Sequence, residues 1–153
     1  MVASGYRQAD GNPAAPPHSN GPYTTDQVQY FRAQVLNLQA APTTATGTVT
    51  LTAAQMLGGI IVATPTAVAT YTTLTGTLLE AALPSGIVND DSFELTIINL
   101  GGAGDIITMV AGATGITFVG SVLIDDAGVD ITSSATFRFR RSAANTFIAY
   151  RIA

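Results

Sequence analysis

The chain contains no cysteine and no lysine, and its one histidine is His18. Without cysteine there is no disulfide framework, no thiolate nucleophile and no zinc site built on sulfur. A Ser-His-Asp triad would have to use His18, which sits beside Pro16 and Pro17. A general base must be held within hydrogen-bond reach of its target by a rigid surround, and such a segment supplies none. Carboxylates are scarce too: Glu80 and Glu94 are the only glutamates, and the aspartates fall mainly as Asp90-Asp91 and Asp125-Asp126 in turn contexts, so a paired-carboxylate glycosidase is not expected. The composition points away from an enzyme.

Charge is also short. Charged residues make up 10% of the 153 positions, against about a quarter in an ordinary soluble domain. Threonine, serine, alanine, glycine and asparagine must cover what charge usually covers, which suits a surface occupied by other subunits. The net charge of −4 opposes non-specific binding to nucleic acid. The N-terminal stretch has no apolar core of a secretory signal, and the most apolar run, MLGGIIVATPTAVATY, is broken at Thr64-Pro65 before it reaches membrane-spanning length. The expected partners therefore exclude nucleic acid, membrane and small-molecule substrate, and no cofactor or metal is expected.

What is present divides the chain in two. Five of the seven prolines (Pro13, Pro16, Pro17, Pro22, Pro42) lie in residues 1–45, where proline fixes φ and removes a donor, so this part reads as an extended arm. Within it TTDQVQYFRAQVLNLQ puts Val28, Phe31, Val35 and Leu38 on one helical stripe, and Thr24 with Gln27 matches a capping box, which predicts a short amphipathic helix over 26–39. The stripe has two possible seats, on its own domain or on a neighbouring subunit.

From residue 46 to 153 the pattern becomes short strands and turns, read as one domain. TGTVTLTA alternates Val49 and Leu51 with threonine, TAVATYTTL alternates Val68 with its neighbours, and GTLLEAALPSG offers one helical turn before Pro84. DSFELTIINL places Phe93, Leu95 and Ile97 on one face; with GGAG as turn and DIITMV as return it predicts a hairpin. GITFVGSVLI adds short strands around Gly120. Turns recur every ten residues or so with no long helix between them, which predicts an all-β fold: an antiparallel jelly-roll-like β-sandwich preceded by the arm and its short helix.

Two loops invite chemistry and decline it. NLGGAGD lacks the helix start and lysine of a phosphate loop, and DDAGVD lacks the spaced acidic ligands and terminal glutamate of a calcium-binding EF-hand loop. The remaining candidate is the C-terminal stretch SATFRFRRSAANTFIAYRIA, which holds four of the six basic residues, Arg138, Arg140, Arg141 and Arg151. Pairing its halves through a four-residue loop at 142–145 sets Phe139 opposite Ile148 and Phe137 opposite Tyr150 on an apolar face. Arg138, Arg140 and Arg151 then share the other face. Guanidinium forks suit carboxylates in the same chain or across a subunit seam. A solvated face is the plainer alternative, and a nucleic-acid grip would want aromatics on the arginine side.

DSFELTIINLGGAGDIITMVAGATGITFVG and SATFRFRRSAANTFIAYRI together resemble the small β-rich capsid decoration, or cement, proteins of tailed bacteriophages; related modules resemble parts of phage fibres. The likeness spans roughly residues 46–153 and carries no catalytic residue. It implies a homotrimer on the outer surface of the phage head that bridges major capsid protein subunits. In that picture Arg138, Arg140 and Arg151 lie at the subunit interface, and the arm contacts the capsid through Val28, Phe31, Val35 and Leu38. A head-fibre or tail-fibre module that binds a host receptor is the alternative.

Overall fold

Most segments of this chain follow a two-residue rhythm of buried and exposed side chains, and the computed structural model, which describes residues 39–128 and 133–153, shows where each rhythm leads. In chain order the elements are β1 (Thr43–Ala45), β2 (Val49–Thr50), α1 (Ala53–Leu57), β3 (Ile60–Ala63), β4 (Ala69–Thr72) and α2 (Gly76–Ala82). They continue with β5 (Ser92–Asn99), β6 (Ile107–Val110), β7 (Ile116–Val119), β8 (Leu123–Ile124), β9 (Ser134–Ala143) and β10 (Thr146–Arg151). The helix expected over 26–39, its capping box, its apolar stripe Val28, Phe31, Val35 and Leu38, and His18 lie outside the described residues, apart from Gln39.

The strands form a six-stranded sheet in the order β1-β3-β5-β9-β10-β7 and a four-stranded sheet in the order β2-β4-β6-β8. The fold is therefore β-rich, but its sheets are mixed where an antiparallel arrangement was expected. β1, β3 and β5 run parallel to one another, as do β2, β4 and β6, and β7 is parallel to β10. From β1 to β8 successive strands alternate between the two sheets. Short-range alternation tells a strand which face to bury; it does not say which sheet receives the next strand. β1 also moves the start of the β-domain back into the residues read as arm.

The expected β5–β6 hairpin is the clearest casualty. β5 has the predicted faces, with Leu95 and Ile97 buried and Glu94 exposed, yet β6 pairs in the other sheet. Asn99 makes the corner. It is fully buried, its amide nitrogen donates to the carbonyls of Asp105 (2.8 Å), Asp125 (3.0 Å) and Ile124 (3.4 Å), and its Oδ1 accepts from Gly101 N–H (2.9 Å). The side chain replaces the hydrogen bonds that a tight turn would have made between adjacent strands.

Two helices bridge the layers. α1, not foreseen, opens on a capping box: Gln55 N–H donates to Thr52 Oγ1 (3.2 Å) and Thr52 N–H to Gln55 Oε1 (2.9 Å). It ends at Gly58, and Gly59 at φ +81° turns the chain into β3. The run MLGGIIVATPTAVATY thus supplies a helix end, a turn and two strands. No helix among the described residues is long and apolar enough to cross a membrane. α2 matches the expected helical turn: Thr75 caps its start and Pro84 follows its end.

Among the described residues the buried apolar side chains form one cluster that draws on both sheets. Leu95, Ile97, Phe137 and Phe139 enter from one side and Tyr71, Ile107, Met109 and Ile124 from the other. Tyr71 reaches across it to donate its hydroxyl to the Ala45 carbonyl (3.2 Å), and burial pushes the phenol up from its ordinary 10.0. Val68, expected to lead the alternation in its segment, is exposed, and Ala69 and Tyr71 point inward in its place.

Candidate functional site

The arginine-rich end forms a ribbon, as its alternation predicts, but in a register one residue away. Thr146 pairs with Ala143 and Phe147 with Arg141, so Ser142 is an extra residue taken up as a bulge, and the turn shrinks to Ala144-Asn145 with Asn145 at φ +58°. From there Ile148 lies opposite Arg140, Ala149 opposite Phe139, Tyr150 opposite Arg138 and Arg151 opposite Phe137. A one-residue slip moves every side chain of a strand to the other face. Phe147 and Ala149 are therefore buried with Phe137 and Phe139, while Tyr150 joins the outer side.

The slip breaks up the expected trio. Arg138 and Arg140 share the outer face, but Arg151 falls on the opposite parity at the far end of the ribbon. There its guanidinium donates to backbone carbonyls of its own chain: Leu123, Ala153 (3.2 Å) and Ser134 (3.5 Å). Arg138 meets Glu94 on β5 through Nε (3.0 Å) and Nη2 (2.5 Å), with both side chains about half exposed, at 50% and 46%. Arg140 reaches Asp90 (2.5 Å), contacts the Tyr150 hydroxyl (3.4 Å) and lies 6.0 Å from the centre of its ring. These hydrogen bonds, Tyr150's first and Asp90's second, raise the pKa of the Arg140 guanidinium above its ordinary value.

Arg141, absent from the expected set, is the best enclosed of the three ion-paired arginines. The parity that buries Phe137 and Phe139 carries it to the core side at the domain's end, where its side chain is 14% exposed. Its fork grips Glu80 on α2 through Nε (3.2 Å) and Nη2 (2.9 Å), and Nη1 donates to Asn89 Oδ1 (2.6 Å). Glu80 also accepts the Asn145 backbone N–H, which ties α2 to the β9–β10 turn. The Arg141 hydrogen bonds, followed by the Asn145 N–H, pull the Glu80 carboxyl below its ordinary 4.5. Gly76 makes this approach possible, because a Cβ there would collide with the carbonyl oxygens of Asn145 and Gly115. The sequence held the signal: counting in twos from Phe137 puts Arg141 inside, and an enclosed arginine needs a carboxylate.

Beside this hub lies an open cleft of about 250 Å³ with Leu83, Ile87, Phe93 and Phe147 among its walls and Asp91 and Arg141 at its polar end. At the opposite end of the domain Asp126, in DDAGVD, is buried and braces two loops, accepting from Gly104 N–H (2.9 Å) and Gly128 N–H (2.8 Å). Among the described residues no group of three or more His, Cys, Asp or Glu side chains is placed to hold a metal ion. The geometry offers ion pairing and surface contact: a strip of matched charges on one sheet and an outer face on the other made of Thr50, Thr70, Thr72, Thr108, Val110 and Leu123. Comparison with known proteins finds no matching family model, curated protein or solved structure.

Proposed function

We propose that the protein is a non-enzymatic virion structural protein, a decoration or cement protein that sits as a homotrimer on the outer surface of a tailed-phage head and bridges major capsid protein subunits. The observation that supports this reading best is the distribution of charge. Between Arg32 and Glu80 the chain has no charged residue, and the outer face of the four-stranded sheet is threonine, valine and leucine. Such a face can be covered by another subunit without desolvating an ion. Arg138 and Arg140, already matched by Glu94 and Asp90, would join a subunit seam as neutral pairs; Arg151 has no part in it. The two-sheet body serves as a sandwich-like block, and the segment before it, with Val28, Phe31, Val35 and Leu38, attaches it to the capsid. Three weak attachments on one trimer give strong overall binding.

The test is to add purified protein to particles that lack it and image them. Density repeated at local threefold positions over the shell is the expected result. Binding only at one vertex, or only to host cells, would replace this reading with the fibre module, and a monomer by sedimentation would remove the trimer.

A further inference from the structure

Among the described residues, the polar contacts of the loop between α2 and β5, residues 83–91, run mainly to the end of β9, while Leu83 and Ile87 pack against the core. Asn89 accepts from Arg141 Nη1 (2.6 Å) and Asp90 from Arg140 Nη1 (2.5 Å). Two backbone bonds join the same places, Asp90 N–H to the Arg141 carbonyl and Arg141 N–H to the Asp91 carbonyl, both 2.9 Å. Inside the loop Val88 N–H donates to Asp91 Oδ2 (2.8 Å). Its backbone is held away from relaxed geometry at Asp90, a non-glycine residue at φ +75°. Leu83 and Ile87, from α2's end and the loop, line the cleft together with Phe93 and Phe147.

We propose that residues 83–91 form an acid-released flap, latched on Arg140 and Arg141 and tuned by Glu80 behind the Arg141 fork, whose opening widens the apolar cleft while the sheets stay folded. The inference does not depend on the proposed function. Glu80 has no direct bond to the loop in the contacts above; it orients the Arg141 fork, and the fork holds Asn89. Asp90, 77% exposed, is the direct and solvent-reached fastening. The charged and titratable groups around the flap are Glu80 on α2, Asp90 and Asp91 in the loop, Arg140 and Arg141 on β9 and Tyr150 on β10, with the Glu94–Arg138 pair one step further along the ribbon. Both arginines keep their charge in acid, so protonating Glu80 leaves the Arg141 fork with a weakened partner.

The sign follows from Glu80. Its carboxyl is depressed in the folded chain, so the stabilisation is fully present above the ordinary 4.5 and fades as pH falls below it. The Arg141 fork then holds Asn89 less firmly, and the Asp90–Arg140 contact, the two backbone bonds to Arg141 and the packing of Leu83 and Ile87 on the core are left to resist opening.

Hydrogen–deuterium exchange of the full chain, corrected for the intrinsic pH dependence, tests this. Between neutral pH and about pH 3, peptides over 83–91 should gain exchange by at least about tenfold more than β5 and β9. Unchanged loop protection, or loss of protection only together with β5 and β9, would overturn the proposal. Asp90→Asn and Glu80→Gln should each loosen the same peptides at neutral pH, and Glu80→Gln should flatten their response to acid. If both variants retain wild-type protection and the full acid response, the latch does not exist.

Discussion

Residues 39–79 and the closing ribbon β9–β10 use the same raw material, β-branched and aromatic side chains in alternation, and are held by opposite means. The first is without charge and is wound back and forth between two sheets in parallel steps, fastened by backbone bonds, by the Tyr71 hydroxyl and by apolar contact. The ribbon is a local antiparallel pair edged with arginines, each met by a partner in its own chain. One half should ignore pH and salt, and the other should answer to both. A fold can thus separate the part that supplies a neutral contact surface from the part that anchors it electrostatically.

The comparison can be broken most forcefully at the shared core. Phe137→Ala removes a fully buried ring from the ribbon and should cost about 3–5 kcal/mol. If the halves are one cooperative unit, far-UV circular dichroism and Tyr71 protection must be lost in a single denaturant transition; two transitions would mean that the wound half folds alone. Asn99→Ala leaves the Asp105 and Asp125 carbonyls and the Gly101 N–H without their partner and should cost about 2–4 kcal/mol by urea unfolding. Tyr71→Phe deletes only the hydroxyl that spans the core to Ala45, worth about 1–2 kcal/mol, and the loss should not vary between neutral pH and mild acid.

Smaller effects sharpen the electrostatic side. Thermal melts of the wild type should show stability falling as pH drops below 4.5, and Glu80→Gln should remove part of that slope, because the depressed carboxyl of Glu80 is one of its sources. A slope unchanged by Glu80→Gln would place the acid sensitivity elsewhere. Glu94→Gln breaks a pair that is half exposed on both sides and should shift stability by only about 0.5 kcal/mol, less still in high salt.

What could be read from the chain before its fold follows the range of each interaction. Faces were legible in β5 and β9, where Leu95, Ile97, Phe137 and Phe139 point inward as their spacing demands. α2 was legible from Pro84, and the strands around Gly120 from alternation. α1 was missed although Thr52 and Gln55 spell out its capping box, because its five residues straddle the end of a segment read as strand and the start of an apolar run weighed only as a membrane span. The crossovers were beyond local reading, since Asn99 makes a corner through carbonyls at 105, 124 and 125, and nothing near it in sequence marks those partners. The arginine register failed by one residue for a local but subtle reason: a bulge at Ser142 costs little, lets Phe147 into the core, and reverses the strand that follows.

The strand order carries a consequence for how the protein is made. β9 lies in the middle of the six-stranded sheet but follows eight other strands in the chain. Until it arrives, β5 offers a bare edge beside Leu95 and Ile97, for a time on the order of seconds during synthesis. The sheet can therefore close only after translation of this region is nearly complete, and chaperone demand should peak just before it. A nascent chain stopped between Asn99 and Ser134 already holds every strand of the uncharged half, yet β5 has β3 on one side and no neighbour on the other, so losing β9 should be as damaging as losing an early strand.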